Sequence, residues 1–206
     1  RHTVAKGAVV RTHCKFRLKP KAEALDCPPD LPRLGMQFAV PVEFLCLNWY
    51  GRGPHENYWD RRSSAPIGVY KSTVTEWVTP YVRPQENANR SDVRWFVLTD
   101  ESGLGLRFDS ATDTPMSVSA WPYSMDDLAK ATHNYELPRR DFITVNLDHL
   151  QMGVGGDNSW KFPVNEPYRI KASQLYDWTF TISPVLPDAS LGVPDGGNFT
   201  EPCRGT

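Results

Sequence analysis

Polar and apolar residues alternate along much of this chain. From Val10 to Lys19 one face carries Val10, Thr12, Cys14, Phe16 and Leu18, while the other carries Arg11, His13, Lys15, Arg17 and Lys19. A period of two sends successive side chains to opposite faces, so this run predicts a strand with one wet face. Similar short runs predict strands over 36–40, 44–49, 93–99, 104–108, 116–120, 143–147 and 178–182. In the last of these, Trp178, Phe180 and Ile182 share one face and Asp177, Thr179 and Thr181 take the other. The gaps are punctuated by 18 Pro and 14 Gly, as expected for short antiparallel strands joined by turns.

One segment departs from this period. Ser124 is followed three positions on by Asp127, the sequence form of a capping box, and Met125, Leu128, Ala129 and Thr132 then recur at helical spacing. A short helix over 125–133 is predicted. No internal repeat or linker divides the chain. From Pro184 onward Pro, Gly, Asp and Asn dominate, so 184–206 reads as an irregular C-terminal tail on a single β-sandwich domain over 1–183. The predicted fold is all-β: a large two-sheet antiparallel sandwich with one short helix.

Composition narrows the function classes. Lys and Arg total 23 against 24 Asp and Glu, which gives no electrostatic footprint for nucleic acid or an anionic membrane. No apolar run approaches the roughly 20 residues that span a bilayer. Arg1-His2-Thr3-Val4 has the character of neither an initiator Met nor a signal peptide, so the sequence reads as a fragment or a processed chain, with cytoplasm and periplasm both open. The four cysteines (Cys14, Cys27, Cys46, Cys203) form no C-x-x-C pair, which argues for small buried thiols over a zinc ribbon, a disulfide or a reactive thiol. Aromatic residues reach 12 %, with seven Trp, compatible with sugar stacking and with an aromatic core.

Several strings imitate known chemistry and fall short of it. His55-Glu56 opens like H-E-x-x-H, but Trp59 stands where the second His would be. The run 152–157 is Gly-rich yet lacks the Lys-Ser/Thr of a P-loop and any following helix signal. Its glycines are expected to permit positive φ and a tight excursion of the backbone. The five histidines are scattered and suggest surface or core roles rather than metal ligation. Glycoside hydrolysis with retention needs two carboxyl groups roughly 5–5.5 Å apart. Glu43, Glu56, Glu76, Glu86, Glu101, Glu136 and Glu166 are dispersed, and sequence alone cannot pair them. Asn165-Glu166 looks like the Asn-Glu of barrel glycosidases, but Pro167 follows at once and no barrel pattern surrounds it.

Three clusters stand out: 51–61, 79–87 and 152–160. Each packs turn formers, charges and aromatics, and each fits either a functional loop or a loop whose charges satisfy buried backbone. Together with Leu31-Pro32-Arg33-Leu34-Gly35, the strings G-x-G-P-x-E-N-Y-x-D-R, T-P-Y-V-x-P-x-E-N and M-G-x-G-G-D-x-S-W resemble the C-terminal domain of the large bacterial β-galactosidases of glycoside hydrolase family 2. In some organisms that domain is a separate small chain. The resemblance runs from about Arg11 to Ile182 in the same order. Three departures are His149, separated from Met152 by Leu150 and Gln151; the segment 19–29, which reads as a modified turn; and the tail 184–206, which runs beyond the end of the resemblance.

The resemblance implies a galactose-mutarotase-like supersandwich belonging to a retaining β-galactosidase that acts on lactose-type substrates. It places the catalytic glutamates on a separate (β/α)₈ barrel, so no residue of this chain is expected to be catalytic and the chain alone is expected to be inactive. It further implies that Trp160 lines the sugar pocket, that the partners are the barrel and the other N-terminal domains in a homo-oligomer, and that the parent uses Mg²⁺ and Na⁺, neither assignable to a residue here. Three rivals remain: a free-standing carbohydrate-binding module, a mutarotase-like epimerase with a convergent His/Glu pair, and a purely structural domain that buries Trp160.

Overall fold

The computed structural model describes residues 1–18, 29–111, 114–158, 160 and 164–187. Alternation becomes antiparallel sheet almost wherever it occurs. In chain order the strands are β1 (His2–Ala5), β2 (Val9–Arg17), β3 (Asp30–Leu31), β4 (Arg33–Pro41), β5 (Cys46–Arg52), β6 (Ile67–Thr73), β7 (Arg90–Val93), β8 (Trp95–Thr99), β9 (Gly105–Ser110), β10 (Met116–Trp121), β11 (Phe142–Gln151), β12 (Ile170–Lys171) and β13 (Leu175–Val185). They form a seven-stranded sheet ordered β1-β2-β13-β9-β8-β5-β6, a four-stranded sheet ordered β4-β11-β10-β7, and the small pair β12-β3.

The two larger sheets pack one face of each into a shared core, and Trp95, Val97 and Val185 form a second, smaller buried cluster. A single cross-strand row shows how: Val4, Val10, Ile182, Phe108, Phe96, Trp49 and Tyr70 lie in register across the seven strands. Phe108, Phe96 and Trp49 in the middle of the row are essentially inaccessible, whereas Val4 at the edge is exposed. The smaller sheet answers with Val118, Ile143, Val145 and Leu147, all buried in the same core cluster. Edge-to-face and stacked contacts extend it, with Trp77 against Trp49 at 5.0 Å and against Phe96 at 5.5 Å. The Arg90 guanidinium lies 4.7 Å over the Trp77 ring and donates to the Pro54 and Ala88 carbonyls, so this buried charge is bonded rather than bare.

Four differences from the sequence expectations have local causes. The run at 93–99 is not one strand: β7 lies in the smaller sheet and β8 in the larger, and the chain changes sheets at Arg94, two residues after Asp92, whose φ is +53°. That left-handed backbone, unfavourable for a non-glycine residue, is held by Arg52 and Arg62 on the Asp92 carboxylate. Helix α2 (Met125–Lys130) opens with the expected Ser124/Asp127 capping box but ends three residues early, because Glu136 binds the Thr132 and His133 backbone and starts a 3₁₀ turn over Asn134–Glu136. A second helix, α1 (Val74–Trp77), rests on a Thr73/Glu76 capping box that the alternating context concealed. Finally, β13 continues through Pro184 to Val185, two residues into the expected tail, pairing with Leu106 and Gly105. The rest of the tail from 188, and most of the 19–29 turn, lie outside the described residues, as do Cys27 and Cys203. Cys46 is buried and Cys14 is half-buried against Met36.

Candidate functional site

The three sequence clusters converge on one rim. The segment 53–66 follows β5, residues 78–89 join α1 to β7, and residues 152–158 follow β11. The first two are sewn together by their Glu-Asn pairs. The Glu56 carboxylate accepts from the Tyr81 hydroxyl and from the Ala88 amide at 2.7 Å. Asn57 accepts from the Ser91 amide and hydroxyl on its side-chain oxygen and donates its own amide to the Asn89 carbonyl. Asn87 takes the Thr79 amide on its side chain and the Trp121 indole N–H on its carbonyl. For these two clusters the structural role is therefore visible: buried backbone groups of irregular loops are satisfied by side chains.

A buried charge cluster lies beneath them. The Arg33 guanidinium, at the start of β4, donates to Asp148 of β11 at 2.7 Å and to Glu86 at 3.2 Å. Burial pushes Asp148 upward, and Arg33 opposes that rise. Glu86 is raised to about 7, by burial first and also by Asp148 and Glu56, against the lowering effect of Arg33. The second Glu86 oxygen, Oε1, and the Tyr58 hydroxyl are buried without a hydrogen-bond partner among the described residues. Burial also drives the Tyr58 hydroxyl far above its ordinary range. Glu86 thus feels the charge of Glu56, yet each is tied into the rim itself.

The third cluster is built differently. After Gln151, the Met152 amide donates to the Pro32 carbonyl and the Gly153 amide to the Tyr168 carbonyl, both at 3.0 Å. The two oxygens of the Asp60 carboxylate then receive the Val154 amide at 3.2 Å and the Gly155 amide at 2.7 Å. A Cβ on Gly153 would sit 2.6 Å from the Asp60 Cγ, and one on Gly155 would sit 3.1 Å from its Oδ2. The sequence expectation for these glycines was positive φ; at Gly153 and Gly155 the requirement is instead close approach to Asp60. Farther along, the Trp160 amide donates to the Asn158 side-chain oxygen at 2.9 Å. The Trp160 residue is 86 % exposed, so it is not the core Trp of the structural alternative.

Asp60 is the residue that sequence reasoning did not single out. It lay inside a string noted as a whole, and its partners stand 94 and 95 residues away, beyond any local pattern.

Among the described residues the one His–Glu contact is His133 with Glu136, and the other histidines meet different partners. His13 meets Asp177 at 2.6 Å and His55 meets Ser64, while His149 stacks on Trp178 with ring centroids 5.2 Å apart. His133 does meet Glu136 at 3.1 Å, but the two are exposed neighbours within the 3₁₀ turn. Glu166 is exposed at the start of the 3₁₀ turn Glu166–Tyr168 and lies 3.6 Å from Lys171. Among the described residues no three His, Cys, Asp or Glu side chains gather as a metal site, so the Mg²⁺ and Na⁺ implied by the resemblance find no such cluster here. Among the described residues no helix is long and apolar enough to cross a membrane.

Comparison with known proteins agrees with the motif reading. Residues 1–182 match the family model described as β-galactosidase small chain. The chain is 43 % identical over 157 residues to a β-galactosidase of Priestia megaterium, covering 76 % of this chain and 15 % of that protein. It is 44 % identical over 147 residues to one of Bifidobacterium adolescentis, covering 71 % and 14 % respectively. Against the β-galactosidase of Halalkalibacterium halodurans the figures are 36 % over 184 residues, 89 % and 18 %. The chain therefore spans less than a fifth of the length of these relatives.

Proposed function

Because the chain belongs to the β-galactosidase small-chain family, we propose that it is the C-terminal sandwich of a retaining β-galactosidase and completes that enzyme's sugar pocket with Trp160. The relatives are named for hydrolysis of β-galactosides, and the remaining four-fifths or more of their length has room for the barrel that the motif resemblance implies. On this reading, two glutamates of that barrel protonate the leaving group and form the covalent glycosyl intermediate. The sandwich supplies no reacting group and is inactive by itself.

The observation that carries the reading is the exposed indole of Trp160 at the end of a fastened loop. Single exposed hydrophobic side chains are common on protein surfaces, Val82 and Tyr135 among them; what supports a binding role for Trp160 is its place beyond a loop fastened at Val154 and Gly155. A galactose ring presents a patch of C–H groups that can stack on an indole face, and rigid aromatics act as anchors in sugar-sized pockets. Stacking of this kind positions substrate and adds affinity, without altering the carboxylate chemistry.

The test is hydrolysis of a chromogenic aryl β-galactoside by this chain alone, by the remainder of its parent, and by the two together. Activity only on mixing supports a completing domain. Turnover by the isolated chain would overturn the reading by revealing a catalytic carboxylate pair within it. In the assembled enzyme, Trp160→Ala should raise KM by about tenfold with kcat retained, the scale of one aromatic contact.

A further inference from the structure

We propose that Asp60 is a positioning residue for Trp160: its carboxylate fixes the path of the 152–158 loop that leads to Trp160, and thereby sets how much the indole adds to substrate binding. This rests on the reading of Trp160 given above.

The argument begins with how the loop leaves the sheet. Beyond β11 the backbone loses its ladder partners, and from Val154 to Asn158 the residues are exposed apart from Gly155. An exposed loop of this kind has many accessible conformations, and a fixed path requires bonds to something rigid. Two bonds come from the Pro32 and Tyr168 carbonyls at the loop's root. The next two both come from Asp60, one oxygen to each of the Val154 and Gly155 amides. Only a carboxylate offers two equivalent acceptor oxygens on so short a stem. The bare Cα atoms of Gly153 and Gly155 are what let the backbone come that near.

Asp60 is itself held firmly. Tyr58 and Arg61 exchange both backbone hydrogen bonds, at 2.9 and 3.2 Å, which puts Trp59 and Asp60 at the tip of a closed two-residue turn. The Trp59 ring meets Tyr168 edge-on at 5.9 Å, beside the carbonyl that receives the Gly153 amide. On the other side of the turn, Glu56 and Asn57 lock the segment to Ala88 and Ser91. Rigidity therefore passes from the buried rim through Asp60 to the last fastened point before Asn158 and Trp160. Removing the carboxylate would leave the root of the loop in place and release the Val154 and Gly155 amides.

The experiment is a double-mutant cycle in the assembled enzyme, with Asp60→Ala, Asp60→Asn, Trp160→Ala and the Asp60→Ala/Trp160→Ala double variant assayed on an aryl β-galactoside. Asp60→Ala should raise KM several-fold, up to the roughly tenfold of Trp160→Ala, with kcat within about twofold of the parent. Asp60→Asn should fall between, since its single amide oxygen can keep one of the two bonds. The double variant should be no worse than Trp160→Ala alone. A merely structural role would instead lower stability and the active fraction, reducing kcat while leaving KM in place. Should Asp60→Ala not assemble, the same cycle run with Asp60→Asn, alongside faster amide exchange at Val154 and Gly155, decides the question. An unchanged KM in the Asp60 variants beside a raised KM in Trp160→Ala overturns this inference alone, and so does an Asp60 effect that adds fully to that of Trp160. An unchanged KM in Trp160→Ala removes the pocket reading, and this inference with it.

Discussion

Replacing Glu86 by Gln should flatten the pH dependence of this chain's stability. Glu86 is surrounded by Arg33 from β4, Asp148 from β11, and Glu56 and Tyr58 from the 53–66 segment; only Arg33 favours its charged form. Burial and the two acids outweigh that cation and raise the group from 4.5 to about 7. Between those values the unfolded chain has released the proton and the folded chain still holds it. The unfolding free energy therefore falls as pH rises, by about 1.4 kcal/mol for each pH unit. This stability is fully present below pH 4.5 and is lost once pH has passed through about 7, a total of at most about 3.5 kcal/mol. The residual exposure of the side chain, 25 %, makes that figure a ceiling. The assay is urea unfolding of the wild-type chain and Glu86→Gln at about pH 5, 6, 7 and 8, taking the difference so that other titrating groups cancel. Wild type should lose ground to the variant up to about pH 7 and then hold a constant offset. A difference that stays flat from about pH 5 to 8 would refute the placement of a neutral carboxyl at this position.

Two further substitutions probe the same framework. Asp148→Asn removes the principal partner of Arg33 and one of the charges that raise Glu86; it should cost about 3 kcal/mol in urea unfolding and shift the Glu86-dependent fall to lower pH. Phe96→Ala, at the inaccessible centre of the cross-strand row, should cost about 3–5 kcal/mol. A loss below about 1 kcal/mol at that site would mean that the sheets do not pack face to face there.

The strands were legible because alternation is a local signal. Val10 to Arg17, Met36 to Val40 and Trp178 to Ile182 each read correctly as strand. The edges were less so. His2–Ala5 is exposed at every position and β3 and β12 have two residues each, so neither carries a period. The division between β7 and β8 escaped for another reason. A strand leaving one sheet for the other keeps its alternation, and the contacts of Arg52 and Arg62 with Asp92, two residues before the break, span 40 and 30 residues. The rim obeys the same rule. Glu56, Asn57 and Asn87 were visible as a pattern of turn formers and charges, whereas the pairing of Arg33 with Asp148 spans 115 residues and is fixed only by the sheet. Trp160 entered through family resemblance; what the structure adds is its exposure and the clamp behind it.

Strand order carries a consequence for assembly in time. Within the sandwich the hairpin β1–β2 precedes the other strands in the sequence, but among the described residues its neighbour in the larger sheet is β13, the last described strand. The contact between His13 and Asp177 spans 164 residues. Long-range pairing of this kind is slow, because the closure entropy of the intervening chain is lost before any contact offsets it. Until Leu175–Val185 has emerged, the early hairpin has no sheet to join, and Phe16 and Val10 have no lasting cover. The earliest-made piece of this sandwich is thus among the last to be incorporated, and the newly made chain passes through a stage in which its opening strands most need protection from aggregation.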